Sequence, residues 1–205
     1  MNVSKTLTDF QYDALKEVGN IGIGHATTSL SQMVNKKVGI SLPDLKLVPL
    51  LDVPQMLTQE SPVVSILLEL RDDAKGYLLL LLSQDSAKML IKLILGEMQE
   101  EDTFNEMEQS VLMELGNIIT GNYVSALSNL LSISLRLSPP VHVYDFAESI
   151  VNQIVFLMSE EVDEVLLLNT EFSVDEAKID GKILVFTNSL SLNKILDSVN
   201  RLAGI

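Results

Sequence analysis

Asp13, Glu17 and Asn20 follow one another at steps of four and three, with Gly24 four residues on, and the same steps recur in Ser110, Glu114, Asn117 and Gly121. On an α-helix such steps return to one face, so each set forms a polar stripe ending in a glycine. A carboxylate only accepts hydrogen bonds, whereas a carboxamide both donates and accepts them. Side by side, the two could grip a partner's lysine and orient a water molecule. A glycine one turn on would let the partner's backbone come close. The same spacing also suits a solvated helix face or a seam between two packed units.

The two sets are related by one shift. Glu17 and Glu114, Asn20 and Asn117, Gly24 and Gly121, and Pro43 and Pro140 are all 97 positions apart. Between residues 13–43 and 110–140, ten of thirty-one positions are identical without a gap, which indicates a duplicated unit. Retention of the polar pair in halves that have otherwise diverged favours a site over an incidental polar face.

Other chemistries find little support. Gly19, Gly22 and Gly24 imitate a phosphate-binding loop, but they fall inside a helical pattern, follow no strand, and Ile119 replaces Gly22 in the second copy. His25 and His142, the only histidines, have no acidic neighbour at metal-ligand spacing and read as ordinary surface or core residues. No nucleophile elbow and no zinc-protease motif is present. The absence of cysteine removes thiol nucleophiles and thiolate metal sites. No metal site is expected on this chain.

A formal charge of −14, from 28 acidic and 14 basic residues, opposes binding to nucleic acid or to anionic membrane surfaces. The 47% hydrophobic content indicates a packed globular protein. The most apolar stretch, 63–82, is interrupted by Glu69, Arg71, Asp72, Asp73 and Lys75, so no membrane insertion is expected. The N-terminus lacks the apolar core of a signal peptide, and the reading is of a soluble, cytoplasmic protein.

The stripes must be positioned by two long helices. Thr8 with Gln11, and Asn105 with Glu108, form capping-box pairs, predicting helices over 9–33 and 106–130. Ala14, Leu15, Val18 and Ile21 are expected on the buried side of the first, and Val111, Leu112, Leu115, Ile118, Leu127 and Leu130 on that of the second. Glycines inside these helices imply a kink or a close approach. Strands are expected at 37–42, ending at Pro43, and at 133–137, ending at Pro139 and Pro140, followed by short strands at 45–51 and 141–144. The halves then differ: a short 53–59 segment stands against an amphipathic helix from Asp145 to about residue 158, with Phe146, Ile150, Ile154 and Met158 on one side. They converge again at an offset of 105, with hairpins 63–71/77–82 and 164–174/182–187 and closing helices at 84–95 and 190–202. The acidic stretch 97–102 is the natural linker. The expected fold is α/β of the α+β type: one domain over 1–205, with pseudo-symmetric helix-strands-hairpin-helix repeats at about 8–96 and 105–203. These would share a sheet core and carry the motif helices exposed on one face.

Asp or Ser, three residues, Glu, two residues, Asn, and a proline some twenty residues later, occurring twice, resembles the signature of the CheC, CheX and FliY family of chemotaxis phosphatases. The phrases KEVGNIGIGHATTSLSQMVNKKVGISLP and ELGNIITGNYVSALSNLL are similar to the CheC form in particular. The resemblance covers nearly the whole chain and implies hydrolysis of the aspartyl phosphate of the response regulator CheY, in two-component signalling. It implies that Asn20 and Asn117 position the attacking water while Glu17 and Glu114 pair with the regulator's lysine. No cofactor would be bound by this chain; Mg²⁺ would be carried by the regulator. Asp13, Ser110, Gly24, Gly121, Pro43 and Pro140 would support the motif. The resemblance also implies binding of CheD through the second half, for which the 145–158 segment, and Asp145 first, is the candidate surface; the same segment could simply cap the sheet. A non-catalytic binding module and a flagellar-switch component are the alternatives.

Overall fold

The computed structural model describes residues 7–57, 61–96, 103–158, 164–174 and 177–202. In chain order these form α1 (Asp9–Val34), β1 (Val38–Pro49), a 3₁₀ turn (Leu50–Asp52), α2 (Val53–Met56), β2 (Val63–Asp72), β3 (Gly76–Ser83) and α3 (Gln84–Leu95). There follow α4 (Glu106–Leu131), β4 (Leu135–Leu137), β5 (Val141–Asp145), α5 (Ala147–Met158), β6 (Glu164–Val174), β7 (Ala177–Thr187) and α6 (Ser189–Leu202).

Both long helices begin where the capping pairs predict. The Thr8 hydroxyl accepts from the Gln11 backbone N–H at 3.2 Å while the Gln11 side chain accepts from the Thr8 N–H at 3.0 Å. Asn105 and Glu108 repeat this reciprocal pairing at 2.9 Å each way. Each box satisfies donors that the helix start would otherwise leave open.

The strands form one antiparallel sheet in the order β1-β6-β7-β3-β2-β4, with β5 pairing β2 beyond β4. β1 therefore rests on the hairpin of the second half, and β4 and β5 on the hairpin of the first. Both faces are covered. Along β3, Leu78, Leu80 and Leu82 enter the core beneath α1, α3, α4 and α6, while Leu79 and Leu81 enter a second core with Ala147, Ile150, Val151 and Ile154 of α5. This explains strands that are apolar at almost every position. At the edge, the guanidinium of Arg136 donates to both carboxylate oxygens of Asp72 at 2.6 and 2.8 Å, tying β4 to the end of β2.

Several sequence expectations are corrected. Pro43 does not end a strand: β1 runs through it, and the register against β6 slips by one between Ser41 and Asp44. A proline cannot donate to the ladder, and the bulge accommodates it without breaking the strand. Pro139 and Pro140, by contrast, do separate β4 from β5. β7 starts at Ala177, so the second hairpin extends further than the 182–187 strand expected. Leu50–Asp52 and Val53–Met56 are short helical turns, and α5 starts at Ala147 rather than Asp145. The acidic 97–102 linker lies outside the described residues.

Candidate functional site

The buried side of α1 follows Leu15, Val18, Gly19, Gly22, Ala26 and Leu30, and that of α4 follows Leu112, Leu115, Gly116, Ile119, Tyr123 and Leu127, each set 97 positions from the other. This seat on the sheet turns both stripes outward. Asp13, Glu17, Asn20 and Gly24 are exposed, as are Ser110, Glu114 and Asn117, while Gly121 is half-buried. Among the described residues, no hydrogen bond or ion pair occupies the side chains of Glu17, Asn20, Glu114 or Asn117. The Ser110 hydroxyl donates back to the Glu106 carbonyl at 2.8 Å. The reading of the stripe as an internal seam therefore loses its support.

The glycines divide into two kinds. At Gly22 a Cβ would stand 2.7 Å from the Cα of Tyr123 and 3.0 Å from the Asn122 carbonyl oxygen, so the backbones of α1 and α4 meet there too closely for a side chain. Gly19 similarly faces the Leu42 side chain and Gly116 faces Ile66. At Gly24 and Gly121 a Cβ would meet nothing within 4 Å. Packing within the chain thus gives no reason for these two glycines, which continue the stripes beyond the asparagines.

Ile21 and Leu130 are exposed, contrary to the burial expected from their spacing. Both line an open groove of about 500 Å³ along the seam of α1 and α4, with His25, Asn122, Ser125, Ala126 and Asn129. Gly22 and Ala26 occupy the buried arc instead, leaving Ile21 at the rim beside Asn20. Val111 and Ile118 are half-buried. Of the remaining candidates, Pro43 lies in the β1 bulge, Pro140 precedes β5, and Asp145 ends β5, where its carboxylate accepts from the Phe146 N–H at 2.7 Å.

His142 sits half-buried on β5, edge-on to Phe104 at 5.9 Å between ring centroids, with its Nε2 buried and unpartnered. Burial holds its pKa below the ordinary 6.5. Among the described residues, no group of three His, Asp or Glu side chains is arranged to hold a metal ion. No described helix is long and apolar enough to cross a membrane.

The CheC-like family model matches the chain at two segments, residues 10–47 and 107–144, which contain the two stripes. Over 174 residues the chain is 28% identical to the CheY-P phosphatase CheC of Bacillus subtilis (strain 168), covering 83% of each sequence. Both stripe-bearing segments are thus similar to the CheC-like family. The flagellar motor switch phosphatase FliY of the same organism is 28% identical over 145 residues, 69% of this chain and 38% of that protein. The crystal structure of FliY from Thermotoga maritima shares the fold, with a TM-score of 0.80 and 21% identity, over 96% of this chain and 99% of that one.

The similarity to the CheC-like family was legible in the doubled motif. The open surroundings of Gly24 and Gly121 were not, because a glycine symbol is the same whether it faces a neighbouring helix or solvent.

Proposed function

We propose that the protein hydrolyses the aspartyl phosphate of a CheY-type response regulator at two sites, one on α1 and one on α4. Glu17 or Glu114 pairs with the regulator's lysine and so fixes the docked orientation. The carboxamide of Asn20 or Asn117 holds a water in line with the bond between phosphorus and the regulator's aspartate oxygen. Water attacks phosphorus, that bond breaks, and the aspartate leaves as carboxylate while inorganic phosphate departs. The regulator carries the Mg²⁺ that neutralises the phosphoryl charge, and no phosphoenzyme forms on this chain. Positioning is the main requirement of such a reaction. A hundredfold acceleration corresponds to about 2.7 kcal/mol, within the scale of one well-placed donor or acceptor.

The observation that carries this reading is the exposure of two equivalent Glu and Asn pairs that no internal partner engages. The CheC and FliY relatives, named as phosphatases, agree with it. The experiment mixes purified protein with phosphorylated regulator and Mg²⁺, comparing wild type with Asn20→Ala, Asn117→Ala and the double variant. Loss of activity only in the double variant supports two working sites. Preserved activity in the double variant rejects the asparagine assignment. A wild type that never exceeds the regulator's own decay, even with CheD, favours a binding module or a flagellar-switch component.

CheD is the second proposed partner, at α5. That helix caps the sheet through Ala147, Ile150, Val151 and Ile154, yet it also leaves Phe156 81% and Leu157 64% exposed. Asp145→Lys, at the entry to α5, is expected to weaken CheD binding in a pull-down with purified CheD; unchanged binding would move that interface elsewhere.

A further inference from the structure

The stripes extend one turn further than their polar residues. Positions 10, 13, 17, 20 and 24 fall within one arc of a helix, so Phe10 stands on the same face as Asp13, Glu17 and Asn20. It is 40% exposed. Ninety-seven positions on, Met107 takes the equivalent place before Ser110 and is 63% exposed. A lone exposed apolar side chain needs no explanation. Two at equivalent positions, each heading a stripe whose glutamate and asparagine no internal partner engages, do need one. Met113 and Ile118 of α4, by contrast, are half-buried against the main core.

We propose that Phe10 and Met107 are apolar anchors that seat the phosphorylated regulator on α1 and α4. This rests on the phosphatase reading and names a further part of the same docking surface. A rise of 1.5 Å per residue places Phe10 about 10 Å from Glu17 and about 15 Å from Asn20 along the helix. A protein interface of about 800 Å² per partner spans roughly 30 Å, so a regulator whose phosphoryl group faces Asn20 also covers Phe10. The surroundings choose the same partner. Asp9, Asp13 and Glu17 on α1, and Glu106 and Glu114 on α4, favour a surface carrying a lysine and a bound cation. They give it no apolar contact. An aromatic or methionine side chain supplies that contact and excludes water around the charged pair. Neither anchor reaches the reacting atoms; both act on affinity.

The test compares the full chain with a Phe10→Ala/Met107→Ala variant in steady-state hydrolysis of phosphorylated regulator with Mg²⁺. Thermal melts establish that the variant is folded. The expected result is a rise of roughly fivefold to tenfold in KM, with the loss appearing there and not in kcat. Phe10→Leu/Met107→Leu should recover most of the affinity. An active parent whose KM is unmoved by the alanine pair, or a loss confined to kcat, overturns the anchors alone. A parent that does not accelerate decay rejects the phosphatase reading and the anchors with it.

Discussion

Gly22 and Gly24 lie two positions apart on α1 and meet opposite surroundings. A methyl group at Gly22 would press on the backbone of Tyr123, which cannot swing aside as a side-chain tip would. Gly22→Ala is therefore expected to push α1 from α4 and lower stability by about 1–3 kcal/mol, the usual cost of overpacking. At Gly24 and Gly121 the methyl would enter open space, and alanine is the better helix former by roughly 1 kcal/mol. Gly24→Ala/Gly121→Ala should thus raise the melting temperature while slowing hydrolysis of phosphorylated regulator, because the regulator's backbone then meets two added methyl groups. A variant that is both more stable and fully active would remove these glycines from the docking surface. Glycine identity alone could not separate these roles, since what decides them is the neighbour across the gap.

Elements were legible where their determinants are local. The caps at Thr8 and Asn105 depend on residues three positions away, and both helices start there. The β1 bulge was not legible, because a proline ends or bends a strand according to whether a partner continues past it, and the partner here is β6, more than a hundred residues on. The exposure of Ile21 depends similarly on the seam with α4. His142 provides the pH test at this scale. Burial against Phe104 disfavours its charged form, so the folded state binds the proton less readily than the unfolded chain. Its contribution to stability is complete above about pH 6.5 and is lost as pH falls through the lower, folded-state value. Melting temperatures of wild type should fall more between about pH 7 and pH 5 than those of His142→Phe. Equal slopes would show that the imidazole does not titrate against the fold.

At the scale of the whole molecule, the halves are interleaved. β1 finds its neighbour, β6, only in the second half, and β4 and β5 find theirs, β2, only in the first. The sequence offered the hairpins but not this exchange, since either half's first strand pattern suits either hairpin. Separate fragments 1–96 and 103–205 are consequently expected to be unfolded alone and to gain a cooperative thermal transition when mixed. A cooperative melt of one fragment by itself would contradict the interleaved sheet. That sheet matters for function because it seats both motif helices on one core and leaves their stripes to solvent.

The central claim is a division of labour, with glutamate holding the regulator and asparagine aiming the water. Its most direct test measures binding and hydrolysis side by side, using regulator charged with beryllofluoride for binding and phosphorylated regulator for turnover. Asn20→Ala/Asn117→Ala should bind the charged regulator about as tightly as wild type while losing at least about a hundredfold in hydrolysis, whereas Glu17→Gln/Glu114→Gln should lose binding. Asparagine variants that lose binding and turnover together, or glutamate variants that bind normally, would contradict it.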